Sequence, residues 1–267
     1  MCLILFSYRR HPGYPFIFAA NRDEFYARPT TPAAFWEDDP DVLAGRDLQG
    51  GGTWMGVTRG GRFAALTNYR APGQNREGAP SRGALVAGFL QGREGAAAFL
   101  ERLSPDADRY NGFNLLVGDA EGLYYFSNFG GTPRSVPPGL YGLSNHLLDT
   151  PWPKVVRGKE ALEAVLKNGG LSPGGLLDLL NDTRQAPDED LPETGVGLDL
   201  ERLLSPLFIT SPAYGTRSSS VMLLAVSGNA RFVERTYLPD SSGKHQERHY
   251  SFRLPRGGFT NPSAERV

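Results

Sequence analysis

Short apolar and alternating runs, broken by glycine and proline turns, open this chain and return twice after helical stretches. That order restricts the fold more than any other feature. Residues 2–8, 15–20, 53–58 and 62–68 carry the apolar or period-two pattern of strands, with Pro12-Gly13 and Gly60-Gly61 as turns. The proline- and acid-rich stretch 28–47 reads as a loop, and within it Glu37-Asp38-Asp39 lacks the alternating ligand spacing of a calcium loop and reads as solvated surface. From 81 to 103, Leu85, Phe89, Leu90, Phe99, Leu100 and Leu103 fall at helical spacing and predict two helices separated at Gly92. Strands are expected again at 113–118, 123–128 and 141–145. Helices follow at 153–166 and 173–180, the second with Ser172 as N-cap and Pro173 at its first position. An irregular excursion from 182 to 214 has the character of a lid or binding loop. Strands at 218–226, 231–238 and 248–254 close the pattern, and the tail 255–267 is expected to fray.

Strands, helices, strands, helices and strands, in that order, fit one α+β domain over 1–267 with helices layered on antiparallel sheet better than alternating βαβ units. With 267 residues the chain buries a sizeable core without staples. Lys+Arg (28) nearly balances Asp+Glu (29), so charge gives no reason to expect a nucleic-acid partner or an anionic membrane. One cysteine excludes an intramolecular disulfide, and four histidines without metal spacing point to no metal site. The apolar start is five residues long and is followed, not preceded, by Arg9 and Arg10, the reverse of a secretory signal and far short of the roughly 20 residues of a transmembrane segment. The expectation is a cytoplasmic globular protein.

The single cysteine is Cys2. An initiator methionine is normally removed ahead of so small a residue, which would leave a thiol and a free α-amine on the same residue. The amine, with a pKa near 7.7–8.0, matches the thiol near 8.5 closely enough to take its proton at neutral pH. Thiolate is the competent nucleophile, and a built-in base follows the general rule for activating one. The structural alternative is a small buried residue at a strand start.

Around Cys2 stand Ala20-Asn21-Arg22-Asp23-Glu24, Gly51-Gly52-Thr53-Trp54-Met55-Gly56-Val57, Thr67-Asn68-Tyr69-Arg70, Gly112-Phe113-Asn114, Gly142-Leu143-Ser144-Asn145 and Gly215-Thr216-Arg217-Ser218-Ser219-Ser220-Val221. Together these strings resemble the NRDE-motif family, also called the Transport and Golgi organisation family, over most of the chain up to about residue 225. That family is more distantly similar to the N-terminal-nucleophile hydrolases that cleave bile-salt and penicillin V amides. The resemblance implies a four-layer αββα sandwich whose first strand begins with a catalytic cysteine. It implies Cys2 as nucleophile and amine base, Asp23 as the carboxylate holding the N-terminal amine, and Asn145 as an oxyanion-hole donor. Arg217 matches the late arginine of the site, and Asn68 another polar site residue. The hydrolases carry an arginine two residues before the asparagine of the second strand, where this chain has Ala20. Strand alternation puts Asn21 and Asp23 on one face and Arg22 on the other.

Read from the residues alone, acyl transfer needs a nucleophile, an orienting group and donors aimed at a developing oxyanion. Asp23, Asn145 and Arg217 have suitable chemistry, while a strand-end ion pair, a turn residue and a rim charge are their structural counterparts. Asn21, Arg22 and His146 complete the set as substrate-binding candidates, with an ordinary loop histidine the alternative for His146. Gly50-Gly51-Gly52 lacks the lysine and following helix of a phosphate loop and reads as a strained turn. The leading expectation is a cofactor-independent amidohydrolase-like protein acting on a small-molecule amide or acyl substrate. The rival, implied by the family's association with haem trafficking and membrane-lipid organisation, is a carrier that holds haem or a lipid without turning it over.

Overall fold

In the first hairpin, β1 (Leu3–His11) and β2 (Tyr14–Phe25) pair antiparallel from Leu3 opposite Asn21 to His11 opposite Tyr14. Both are apolar on both faces, as strands covered on two sides must be. The structure, a computed structural model, describes residues 3–238 and 244–255. Cys2 therefore lies outside the described residues, as does the expected frayed tail beyond Pro255.

After β2 come β3 (Thr30–Phe35), β4 (Val42–Asp47), β5 (Met55–Thr58) and β6 (Phe63–Asn68), then helices α1 (Gly83–Gln91) and α2 (Ala96–Leu103). Next are β7 (Phe113–Gly118), β8 (Leu123–Ser127), β9 (Arg134–Ser135) and β10 (Gly139–Leu143). The chain then forms α3 (Pro153–Lys167), α4 (Pro173–Leu179), α5 (Leu198–Leu204), β11 (Tyr214–Leu224), β12 (Asn229–Tyr237) and β13 (His245–Arg253). One sheet has the order β10-β1-β2-β11-β12-β13 and the other β3-β4-β5-β6-β7-β8-β9. All of these pairings are antiparallel.

Three apolar clusters show the layering. Ile4, Phe6, Phe16 and Phe18 of the first sheet meet Met55, Val57, Phe63 and Ala65 of the second. On the outer side of the first sheet, Leu3, Leu5, Ile17 and Ala19 pack on Val155, Leu162, Leu176 and Leu177 of α3 and α4. The second sheet's outer face packs Val42, Ala64, Leu66 and Leu115 on Leu85, Phe89, Phe99 and Leu100 of α1 and α2. The result is a four-layer αββα sandwich. No helix among the described residues is long and apolar enough to cross a membrane.

Most expected elements lie within a few residues of their places, and Ser172 accepts the Gly175 N–H as the N-cap of α4. The stretch 28–47 is a correction, because it holds two strands where a loop was expected. Pro32 falls at a register irregularity of β3, an edge strand, where a missing N–H breaks no ladder bond. In β4, Leu43 faces the inter-sheet core while Val42 and Ala44 face the helices, so the run shows no alternation. The excursion after α4 is also less irregular than expected, since it contains α5.

A carboxyl group is buried in the inter-sheet layer. Glu234 of β12 is completely buried, accepting the Ala33 N–H at 2.6 Å and the Ser220 hydroxyl at 3.4 Å. Burial pushes its carboxyl pKa up, against the pull of those hydrogen bonds and of Arg22 and Arg248. A carboxyl raised in the folded state gives stability that is full below its unfolded pKa, about 4.3, and is lost as pH rises through the raised folded value. Glu234→Gln keeps an acceptor for Ala33 and removes the charge. Its melting temperature relative to wild type is expected to improve as pH is raised from 5 to 8; a gap independent of pH would refute this assignment.

Candidate active site

The Asn-Arg-Asp-Glu string ends β2, the strand that pairs with both β1 and β11. Its four side chains divide the work. Asn21, fully buried on the helix side, donates both amide hydrogens, to Leu180 O at 2.9 Å and Leu207 O at 2.8 Å, and accepts from the Ser219 hydroxyl at 2.6 Å. Arg22 faces the opposite way and lies over the Trp54 ring, 4.2 Å from its centroid. Asp23 accepts the Thr216 hydroxyl at 2.6 Å. Glu24 stands 3.9 Å from both Arg22 and Arg28.

Arg22, Asp23 and Glu24 together line a cavity of about 310 Å³, with Arg28, Asp47, Trp54, Asn68 and Arg82 among its other walls. Strict alternation would separate Arg22 from Asp23. Here the register between β2 and β11 shifts across Arg217, and such a bulge bends the strand end and re-aims its side chains.

Arg22 is the unusual member. Its side chain is only 6% exposed, yet its guanidinium makes no hydrogen bond among the described residues. Burial lowers its pKa, Glu24 raises it, and Arg217 lowers it again. Five donors in a planar fork thus face a cavity, a geometry suited to a carboxylate or acyl oxygen. Another part of the lining is self-satisfied: Arg28 donates twice to one oxygen of Asp47, at 2.7 and 3.0 Å, while the other accepts the N–H groups of Gln49 and Gly50. Burial would raise the Asp47 pKa, but the Arg28 and backbone bonds outweigh it and hold the carboxyl below its usual range. Gly51, at φ +72°, completes a turn from Asp47, so Gly50-Gly51-Gly52 shapes this wall.

Of the other residues expected at a site, Asn68 lines the cavity, and its side-chain amide makes no hydrogen bond among the described residues. Asn145 stands behind it, donating to Asn68 O at 2.9 Å. Arg217 binds the carbonyls of Phe25, Tyr26 and Arg28 with one nitrogen and so clamps the turn that follows β2. It reaches the cavity through its field on Glu24 and Arg22. Two substrate-binding candidates, Asn21 and His146, do not line this cavity. Asn21 has its amide committed on the far face of the sheet, and His146 points its Nδ1 to Thr150 Oγ1 at 2.8 Å, between the rings of Tyr69 and Trp152. Burial lowers the His146 pKa.

Sequence reasoning missed the stacking of Arg22 on Trp54, the Arg28–Asp47 wall and Arg82. It also missed a buried polar chain behind Asn145. Thr67 donates to Ser144 O at 2.7 Å, Asn114 donates to Thr67 Oγ1 and His146 O, and Tyr125 donates to Asn114 Oδ1. The strings Thr67-Asn68 and Gly112-Phe113-Asn114 were the available signal.

The sequence matches the family model described as Transport and Golgi organisation 2 over residues 1–239. The chain belongs to this family. It is 38% identical over 276 residues to the human Transport and Golgi organization protein 2 homolog, covering 95% of this chain and 99% of that protein. It is 33% identical over 265 residues to Transport and Golgi organization protein 2 of Drosophila melanogaster, covering 88% and 92%. Among solved structures it is similar to penicillin V acylase from Agrobacterium tumefaciens, at 10% identity and a TM-score of 0.52, covering 97% of this chain and 88% of that one. At that identity the likeness is one of fold: this chain shares the four-layer αββα sandwich of that acylase.

The division within the family's motif is testable without an assay of function. Asn21→Ala leaves two carbonyls without their side-chain partner, and the Ser219 hydroxyl with Tyr237 alone, while removing no group that lines the cavity. It is expected to cost about 2–4 kcal/mol in urea denaturation. A loss under about 1 kcal/mol would show that Asn21 is not a structural clamp.

Proposed function

We propose that this chain is an N-terminal-cysteine amidohydrolase-like protein acting on a small amide or other acyl substrate. One observation carries the reading. Leu3, joined to Cys2 by a single peptide link of about 3.8 Å between Cα atoms, pairs with Asn21, and the next two residues along β2 line the cavity with a buried guanidinium that makes no hydrogen bond among the described residues.

In this reading the mature chain starts at Cys2, whose amine takes the thiol proton. The thiolate attacks the substrate carbonyl carbon, and the carbonyl π pair moves onto oxygen. In this reading Asn68 donates to that oxyanion and Asp23 accepts from the cationic amine, which is supported by both lining the cavity and by Asn145 holding the Asn68 backbone. Collapse of the tetrahedral species expels the leaving amine, which takes the proton back, and leaves a thioester. Water, deprotonated by the α-amine, then releases the acid and restores the thiol. Arg22 holds an oxygen-rich part of the substrate. Six charged residues wall the cavity, Arg22, Asp23, Glu24, Arg28, Asp47 and Arg82, and an apolar cargo such as haem or a lipid chain would have to desolvate them. The lining therefore favours a small polar ligand over the carrier reading.

Two measurements test the proposal. Intact mass of protein purified from cells is expected to lack Met1; retention of Met1 in active material removes the amine base and ends the mechanism. Cys2→Ser is expected to lower turnover across a panel of small amides and thioesters by orders of magnitude, with the melting temperature nearly unchanged. Parallel haem titration separates the rival: loss of haem binding on Cys2→Ser, without turnover in wild type, would support a thiolate-ligated carrier instead.

A further inference from the structure

The excursion between α4 and β11 is fixed at both feet and tied at its tip. At the feet, the Asn21 amide donates to Leu180 O and Leu207 O, and Phe208 N donates to Asp182 O at 2.9 Å. Towards the tip, Glu201 of α5 is 5% exposed and pairs with Arg70 Nη1 at 2.6 Å. The same carboxylate accepts both the N–H and the hydroxyl of Thr194. Gly195 and Gly197 both sit at φ +87°, a region open to glycine and strained for other residues. Between them, Val196 walls a second cavity of about 330 Å³ with Tyr69 and Pro72, and this cavity shares Asn68 and Arg82 with the first.

Arg70 also belongs to the segment that builds the site. Its N–H donates to Asn145 O at 2.7 Å, and Asn145 in turn donates to Asn68 O. The Arg70 backbone is therefore one hydrogen bond from Asn145 and two from Asn68, the amide assigned to the oxyanion.

We propose that residues 181–206 form a lid over the Asn68 end of the cavity, latched by the Glu201–Arg70 pair, and that Glu201 is a positioning residue for Asn68 and Asn145. The proposal rests on the reading of this cavity as the active site. Pinned feet, a glycine-flanked tip and one buried ion pair 131 residues apart in sequence give an element with two discrete arrangements, closed on Arg70 or released from it. Release exposes Val196 and frees segment 68–71 together, so access and catalytic geometry change as one event.

Hydrogen exchange read by mass spectrometry on the full chain tests this. In Glu201→Gln, amides of 193–204 and of 68–71 are expected to exchange at least tenfold faster than in wild type, while β1 and β2 keep their rates. Thr194→Val, which removes one bond to Glu201 and leaves the ion pair, is expected to give a smaller acceleration in the same two segments and covers the case in which Glu201→Gln does not fold. Wild-type rates at 68–71 in a folded variant overturn the proposal, because the latch then does not reach the site. Equal acceleration of β1 and β2 overturns it too, since the pair is then only a general stabiliser. On any amide that wild type hydrolyses, kcat of Glu201→Gln is expected to fall at least tenfold, and an unchanged kcat counts against the positioning role. Exchange needs no turnover, so the lid is decided even where the hydrolase reading fails.

Discussion

A single buried amide, that of Asn21, joins three parts of this fold. Its two N–H groups hold the carbonyls of Leu180 and Leu207, and its oxygen holds Ser219 on the neighbouring strand. Each of those partners is buried, so an unmade bond there would carry the full desolvation cost of a polar group. The amide sets where β2 and β11 lie relative to α4 and the excursion, and by alternation it turns the next residue, Arg22, the other way, towards Trp54 and the cavity.

The space between the sheets is apolar in the middle and polar towards its ends. Phe16, Phe18 and Phe63 make edge-to-face or tilted contacts at 5.0–6.1 Å between centroids and exclude water from the centre. Polar stitches cross from sheet to sheet elsewhere: Glu234 to Ala33, and Thr67 and Asn114 to the turn after β10. These fix register and separation where packing alone would allow slippage. The second set also fixes Asn145, which places the backbone of Asn68 at the cavity. The scaffold and the site thus share their hydrogen bonds.

Much of this was legible in the sequence. The strands of the first hairpin, the helices either side of Gly92, the Ser172 cap and the αββα class follow from runs, periods and family strings. The two strands within 28–47 did not, because β3 is an edge strand carrying a proline and β4 is buried on both faces; neither shows the alternation by which a strand is recognised. Arg28 and Asp47 were hidden with them, and with those two residues went one wall of the cavity.

The sequence by itself determined that β2 is a buried strand ending in four polar residues, and that Asn21 and Arg22 face opposite ways, because a strand's period is local. Only the tertiary structure decided that Asp23 joins Arg22 at one cavity, that the Asn21 amide is committed elsewhere, and that Glu201 meets Arg70. Those outcomes depend on a bulge at Arg217 and on partners up to 198 residues away, as in Ser219 with Asn21. Contacts over such separations are set by how layers stack and where strands end, which no local pattern of residues encodes.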